Sequence, residues 1–166
     1  MQIRKILPTD ASGVYEVVKN TWLQTYPNTE FGITQDDILQ KFADKNKYVN
    51  NFQEKLSQDI QNKNWWVCII NSQVVWVFLS QIIEEKLYLK VLYVMPDFQW
   101  IWVWKALINI FFENYKDYNE IYLWVAVYNT KAINFYKKYW FEIIPWSESF
   151  HKIAENKSIP NILMKK

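Results

Sequence analysis

Glycine is almost missing from this chain. It occurs 2 times in 166 residues, where an average globular composition of about 7% would give roughly 12. Tryptophan is in excess instead, with 10 copies. The one cysteine, Cys68, excludes an internal disulfide and fits a reducing cytoplasm; within an apolar run it reads as a small core residue rather than a nucleophile. Histidine is also represented once, by His151, so no His/Cys set has metal-ligand spacing and no metal is expected. Neither sign of charge dominates: the net charge is +2, without a basic block, which argues against nucleic acid as a partner. Long hydrophobic runs are absent too. Nothing approaches a membrane span and the opening MQIRKILPTD has no signal-peptide apolar core, so a cytoplasmic protein without a membrane partner is expected.

Apolar material is nevertheless plentiful. With 51% hydrophobic residues, the chain can bury a sizeable core, and residues 1–166 read as a single domain. Residues 3–6 suggest a first strand. Pro8, Thr9 and Asp10 then start a helix whose Val14, Val17, Val18, Thr21 and Trp22 share a face. Tyr26, Pro27 and Asn28 supply turn chemistry for a loop. Thr34 and Asp37 have the spacing of a helix cap, followed by the apolar stripe Ile38, Leu39 and Phe42. Phe52, Leu56 and Ile60 imply a further helix ending near Asn62. Residues 66–70, 74–80 and 87–94 are β-rich runs that read as antiparallel strands, and a helix extends to about Tyr115. Strand 121–127, helix 130–139, strand 141–144 and a last strand at 162–164 complete a mixed α/β pattern. Residues 151–158, HKIAENKS, read as an exposed polar turn, in which His151 is inert.

One stretch is suited to bind a ligand. VLYVMPDFQWIWVWKALI, residues 91–108, reads as a buried strand, a turn at Pro96 and Asp97, a short loop, and a helix opening near Val103 or Trp104. A strand running through a short loop into a helix start is a favourable phosphate site, because the first helical amides have no intrahelical partner.

That layout resembles the cofactor loop of the GNAT N-acetyltransferases, Q/R-x-x-G-x-G/A after a strand ending in V-x-P. Gln99 matches the first position, Trp102 and Trp104 fall where the two glycines belong, and Trp100 sits where a further glycine is common. A second stretch, VAVYNTKAINFYKKYWF at residues 125–141, resembles the family's N-x-x-A-x-x-F-Y-x-K-x-G-F motif, with Trp140 at its glycine. Trp76 occupies the glycine of a V-x-G-F strand, and Trp146 follows Pro145 at a turn. The resemblance implies an α/β (α+β) fold, a mixed, mostly antiparallel central sheet flanked by helices. It also implies an acetyl-CoA-dependent acyltransferase acting on a primary amine, either a small amine such as a polyamine or a peptide or protein amine. The segments TWLQTYPN and SFHKIAENKSIPNILMKK are more similar to small bacterial polyamine or general amine acetyltransferases than to those acting on protein N-termini. Aminoglycoside and peptide amines stay open.

By the same resemblance, the loop Gln99, Trp100, Ile101, Trp102, Val103, Trp104 and Lys105 would wrap the pyrophosphate of acetyl-CoA. The backbone of Leu92, Tyr93 and Val94 would receive the thioester carbonyl and pantetheine beside a splay in the sheet. Asn129 would bond the pantetheine arm, and the region after the first helix would lie over the acceptor. Tyr136 would protonate the departing thiolate, which suits a phenol with a pKa near 10. Read without the resemblance, Phe135, Tyr136 and Tyr139 are equally an aromatic core face. No base is assigned: Tyr88 and Lys90 stand where relatives often place a carboxylate, and Glu84, Glu85 or water are the remaining options. Homodimer formation is left open.

An indole at each loop position would fill the space the phosphates need. Two explanations follow. Trp76, Trp100, Trp102, Trp104, Trp140 and Trp146 stand for glycine, through a UGA codon that some bacterial lineages read as glycine and other codes as tryptophan. Alternatively, the chain is a non-catalytic scaffold whose phosphate loop is closed by tryptophan.

Overall fold

The computed structural model describes residues 1–58, 63–99 and 101–166. Strand β1 (Gln2–Lys5) and a 3₁₀ turn lead into α1 (Ala11–Thr25), followed by α2 (Gln35–Lys41) and α3 (Lys45–Gln58). Strands β2 (Lys63–Ile70), β3 (Gln73–Ile83) and β4 (Lys86–Val94) form an antiparallel meander. A 3₁₀ turn at Pro96–Phe98 precedes α4 (Ile101–Asn114); then come β5 (Ile121–Ala126), α5 (Thr130–Lys137), β6 (Glu142–Ile143), β7 (Ser149–Ala154) and β8 (Lys157–Lys165). All eight strands share one sheet in the order β1-β2-β3-β4-β5-β8-β6, with β7 paired to β8. Among the described residues its one parallel pairing is β4 with β5, so the sheet is mixed and mostly antiparallel.

The sheet is buried on both faces. On one, Phe78, Leu87, Leu107, Phe111, Leu123 and Phe141 belong to a core that α4 and α5 cover. On the other, Val14, Val17, Ile38, Phe42, Val67 and Val77 pack under α1, α2 and α3. Central β3 is buried at seven consecutive positions because it contributes to both cores, as a doubly covered strand must. Gly13 sets how closely α1 approaches it: a Cβ there would lie 2.6 Å from Cγ2 of Val74. The Thr34 cap forms as its spacing suggests, with Asp37 N donating to Thr34 Oγ1 at 3.2 Å and Thr34 N donating to Asp37 Oδ2 at 2.7 Å.

Three expectations need correction. Helix α4 opens at Ile101, not at Val103 or Trp104, because apolar periodicity starts only where side chains reach the core. Residues 151–158 are not an exposed turn: they hold most of β7 and the start of β8, with the reversal confined to positions 155–156. As an outer strand beside β8, β7 leaves many side chains in water and so carries a loop-like composition. The last strand therefore starts at Lys157 and not at 162. Helix α3 is described as far as Gln58, so its expected end near Asn62 lies outside the described residues.

Candidate active site

Strand β4 contains an irregularity that opens the sheet. Leu79 pairs with Val91 and Ser80 with Leu89, leaving Lys90 as the extra residue of a bulge. Pairing between β4 and β5 covers only Leu87, Leu89 and the residue between them, against Ile121–Leu123, although β4 continues to Val94 and β5 to Ala126. Beyond the bulge the two strands therefore splay. Met95 N donates to Val75 O at 2.8 Å, which fixes the alternation. Tyr93 and Val91 direct their main-chain groups at β3, while the N–H and C=O of Leu92 and Val94 point into the gap. The Val94 carbonyl already accepts from Thr21 Oγ1 at 3.2 Å and from Gln99 Nε2 at 3.1 Å. The Leu92 and Val94 amides remain aimed at the opening.

Phenols converge on this gap. The hydroxyls of Tyr26 and Tyr93 lie 3.2 Å apart, and the Tyr128 hydroxyl donates to Tyr26 O at 3.0 Å. Tyr136 on α5 is buried, and among the described residues its hydroxyl has no hydrogen-bond partner. Burial raises its pKa well above the ordinary tyrosine value, with Tyr93 adding to the shift. Burial also raises Tyr26 and Tyr93, and pushes Tyr128 up to about 12. At neutral pH all four are proton-bearing donors. Tyr136 joins the α4/α5 core, so its ring packs as an aromatic core face while its hydroxyl stays unengaged.

The loop after α1 closes one side of the gap. Asn28 and Ile33 exchange hydrogen bonds of 2.8 and 2.9 Å across its neck, and Gly32 takes φ +63° within it. Phe31 stacks on Tyr128 at 5.5 Å, bringing the loop against the end of β5. A second wall comes from β7. The His151 ring lies 5.7 Å from Trp22, whose own ring meets Tyr26 at 4.6 Å and lies 5.2 Å from Lys41 Nζ. The Trp22 Nε1 proton is buried and bears on the Tyr93 hydroxyl.

On the opposite side, Gln99 ties the phosphate-type loop into three elements. Its amide donates to Gln24 Oε1 at 2.9 Å and to Val94 O, while Lys131 Nζ donates to Gln99 Oε1 at 3.0 Å. Asn129 caps α5, its Oδ1 accepting from Ala132 N at 3.1 Å. The first amides of α4, beginning at Ile101, lack intrahelical acceptors and carry the positive end of the helix dipole. Trp100 and the side chains of Ile101, Trp102 and Trp104 lie outside the described residues; Val103 is buried in the core and Lys105 is exposed.

The fold thus gathers Leu92, Tyr93, Val94, Gln99, Asn129 and Tyr136 around the splay. It separates Glu84 and Glu85, which form the turn between β3 and β4 with φ values of +48° and +63°. They lie at the start of β4, about 20 Å of strand from Leu92, too far to take a proton there. The sequence reading placed the loop of Tyr26 over the acceptor but missed Tyr128 and Lys41 as neighbours of the gap, and it put His151 in a turn. No motif marks Tyr128 or Lys41, which tertiary contacts with Tyr26 and Trp22 bring there.

Solved structures share this fold. The PaiA N-acetyltransferase of Thermoplasma acidophilum, in complex with coenzyme A, superposes with TM-score 0.68 and 22% identity, covering 99% of this chain and 97% of that one. The fold is that of the GNAT N-acetyltransferases. An acetyltransferase from Thermus thermophilus gives TM-score 0.71 at 13% identity, over 99% of this chain and 95% of that one. The GNAT-family acetyltransferase of Streptococcus pneumoniae gives 0.67 at 17%, over 99% and 97%. No family model and no curated protein matches the sequence. The GNAT likeness therefore rests on the superposed fold, at identities where sequence comparison fails.

Proposed function

We propose that this chain is an acetyl-CoA-dependent N-acetyltransferase that acetylates a primary amine. The observation that carries the reading is the splay itself: the register aims the main-chain amides of Leu92 and Val94 into the gap between β4 and β5, and among the described residues the buried Tyr136 hydroxyl has no hydrogen-bond partner. Acetyl-CoA supplies an activated acetyl thioester. The chain supplies donors for the oxygen that gains charge as the amine nitrogen bonds to the carbonyl carbon, which suits the amides at 92 and 94. As the C–S bond breaks, Tyr136 gives its proton to sulfur, and the nitrogen's proton leaves through water. The starting amides of α4, with Gln99 and Asn129, are placed to hold the diphosphate and pantetheine arm.

We infer further that Trp76, Trp100, Trp102, Trp104, Trp140 and Trp146 stand where the natural chain has glycine. Two backbone positions support this. Trp140 adopts φ +68° at the end of α5, where Phe141 N donates to Tyr136 O at 3.2 Å and Trp140 N to Lys137 O at 3.1 Å. That pair is the Schellman closure, whose left-handed residue is usually glycine. Trp146 adopts φ +60° immediately after Pro145, the place a type II turn reserves for glycine. Both indoles are exposed, so no packing offsets the strain. Trp76 differs, being buried beside Phe78 without a left-handed backbone.

Calorimetric titration with coenzyme A tests both statements. Protein carrying glycine at the six positions is expected to bind, and the literal tryptophan chain to bind weakly or not at all. UGG codons at 100, 102 and 104 would remove the glycine inference, and a glycine-bearing protein that ignores coenzyme A would remove the enzyme.

A further inference from the structure

Strands β4 and β5 both stay extended past the point where their pairing lapses, β4 to Val94 and β5 to Ala126. Two extended strands running side by side ordinarily zip, because each unpaired N–H and C=O gains a partner by doing so. Something must hold these two apart. The bulge at Lys90 starts the divergence, and the end of α1 occupies the place the ladder would take. Thr21 Oγ1 donates at 3.2 Å to Val94 O, a carbonyl that points into the gap and would otherwise face β5. Tyr26, the residue that closes α1, engages both sides. Its hydroxyl lies 3.2 Å from that of Tyr93 on β4, and its carbonyl accepts at 3.0 Å from the hydroxyl of Tyr128, two residues past the end of β5.

These two bonds are separated by the length of a tyrosine side chain, so the residue has the form of a spacer. Ring contacts hold it in place: Tyr26 meets Trp22 edge-on at 4.6 Å, and Tyr128 stacks on Phe31 at 5.5 Å. Tyr26, Tyr93 and Tyr128 are all half-buried, which puts them at the rim of the opening rather than in the core. Resting on the acetyltransferase reading above, we propose that Tyr26 is a positioning residue: bonded to Tyr93 on one side and Tyr128 on the other, it keeps β4 and β5 apart and so leaves the Leu92 and Val94 amides free for the cofactor. It touches neither reactant. Its effect runs through the two amides, which are lost to the thioester and pantetheine once β5 carbonyls take them.

Three hydroxyl deletions in the glycine-bearing protein test this. Tyr26→Phe and Tyr128→Phe each release one side of the spacer and keep the rings that pack on Trp22 and Phe31. Tyr15→Phe removes another hydroxyl of α1, which donates to Phe42 O at 2.7 Å within the helical layer, and so measures plain destabilisation. Hydrogen exchange at the Leu92 and Val94 amides is followed by NMR without cofactor. It is expected to slow at least tenfold in the Tyr26→Phe, Tyr128→Phe double variant as the strands pair, and to stay within twofold of the parent, or quicken, in Tyr15→Phe. The sign is decisive, since lost stability alone speeds exchange. The calorimetric dissociation constant for coenzyme A should rise at least tenfold in the double variant and stay within twofold in Tyr15→Phe. Unchanged or faster exchange at both amides in the double variant would overturn the proposal, as would undiminished coenzyme A affinity there. A parent protein that ignores coenzyme A would remove the enzyme reading instead, and the exchange rates would still decide the spacer.

Discussion

Two exposed tryptophans illustrate how a single residue can disagree with its own backbone. Trp140 and Trp146 occupy left-handed conformations that disfavour any side chain by roughly 1–2 kcal/mol. Trp140→Gly and Trp146→Gly are therefore each expected to stabilise the protein by about 1–2 kcal/mol, visible in thermal denaturation as a rise of roughly 2–8 °C per substitution. Unchanged or lowered melting temperatures would contradict the strain. Tyr136 makes a different residue-scale case. Tyr136→Phe keeps the ring contacts with Phe135 and Phe141 and removes only the donor. It should reduce kcat about 100-fold while leaving calorimetric coenzyme A affinity within twofold; an equal loss of binding would mean the phenol holds the cofactor rather than protonating sulfur. Both positions were singled out by the resemblance to the family's C-terminal motif, which has glycine where Trp140 stands; the left-handed φ of Trp140 adds a backbone reason that spacing does not contain.

Among the elements, the hairpin of β7 and β8 is tied to α2 by an ion pair beside their shared apolar contacts. Lys157 Nζ reaches Asp37 Oδ2 at 2.7 Å and Oδ1 at 2.9 Å. The Lys157 ammonium, then the Thr34 hydroxyl and amide, hold the Asp37 carboxyl down at about 2. Because the folded pKa lies below the unfolded value of about 3.9, this tie contributes fully above pH 4 and is lost as pH falls toward 2. Hydrogen exchange at β7 amides should accordingly quicken across that window, and Asp37→Asn should show the fast exchange already at pH 7. Equal exchange in both proteins would show that the hairpin is held by other contacts. The helical half of this tie was legible, since a Thr-x-x-Asp cap is local. Its strand half was not: the composition of HKIAENKS is that of an edge strand with one wet face, which sequence alone does not distinguish from a loop.

For the molecule as a whole, the burial of phenols sets an alkaline limit. Tyr26, Tyr93 and Tyr136 all have pKa values raised by burial, so the unfolded chain releases their protons near pH 10 while the folded protein retains them. Stability from this source is complete below pH 10 and declines as pH rises further. Urea midpoints should fall progressively between about pH 9 and 11, and Tyr26→Phe should flatten that decline; a flat profile in the parent would contradict it. The sequence by itself determined the order and type of most elements, which follow from periodicity, capping and turn chemistry, each confined to a few neighbouring residues; the positions where glycine is expected came from the family resemblance. The family resemblance pointed to an opening beside Leu92, Tyr93 and Val94; tertiary structure decided which side chains of other elements stand around it. The bulge at Lys90 arises from register between two strands. The meeting of Trp22 with His151 arises from β7 folding back beside α2, and a contact between residues more than a hundred positions apart leaves no periodic trace in the chain.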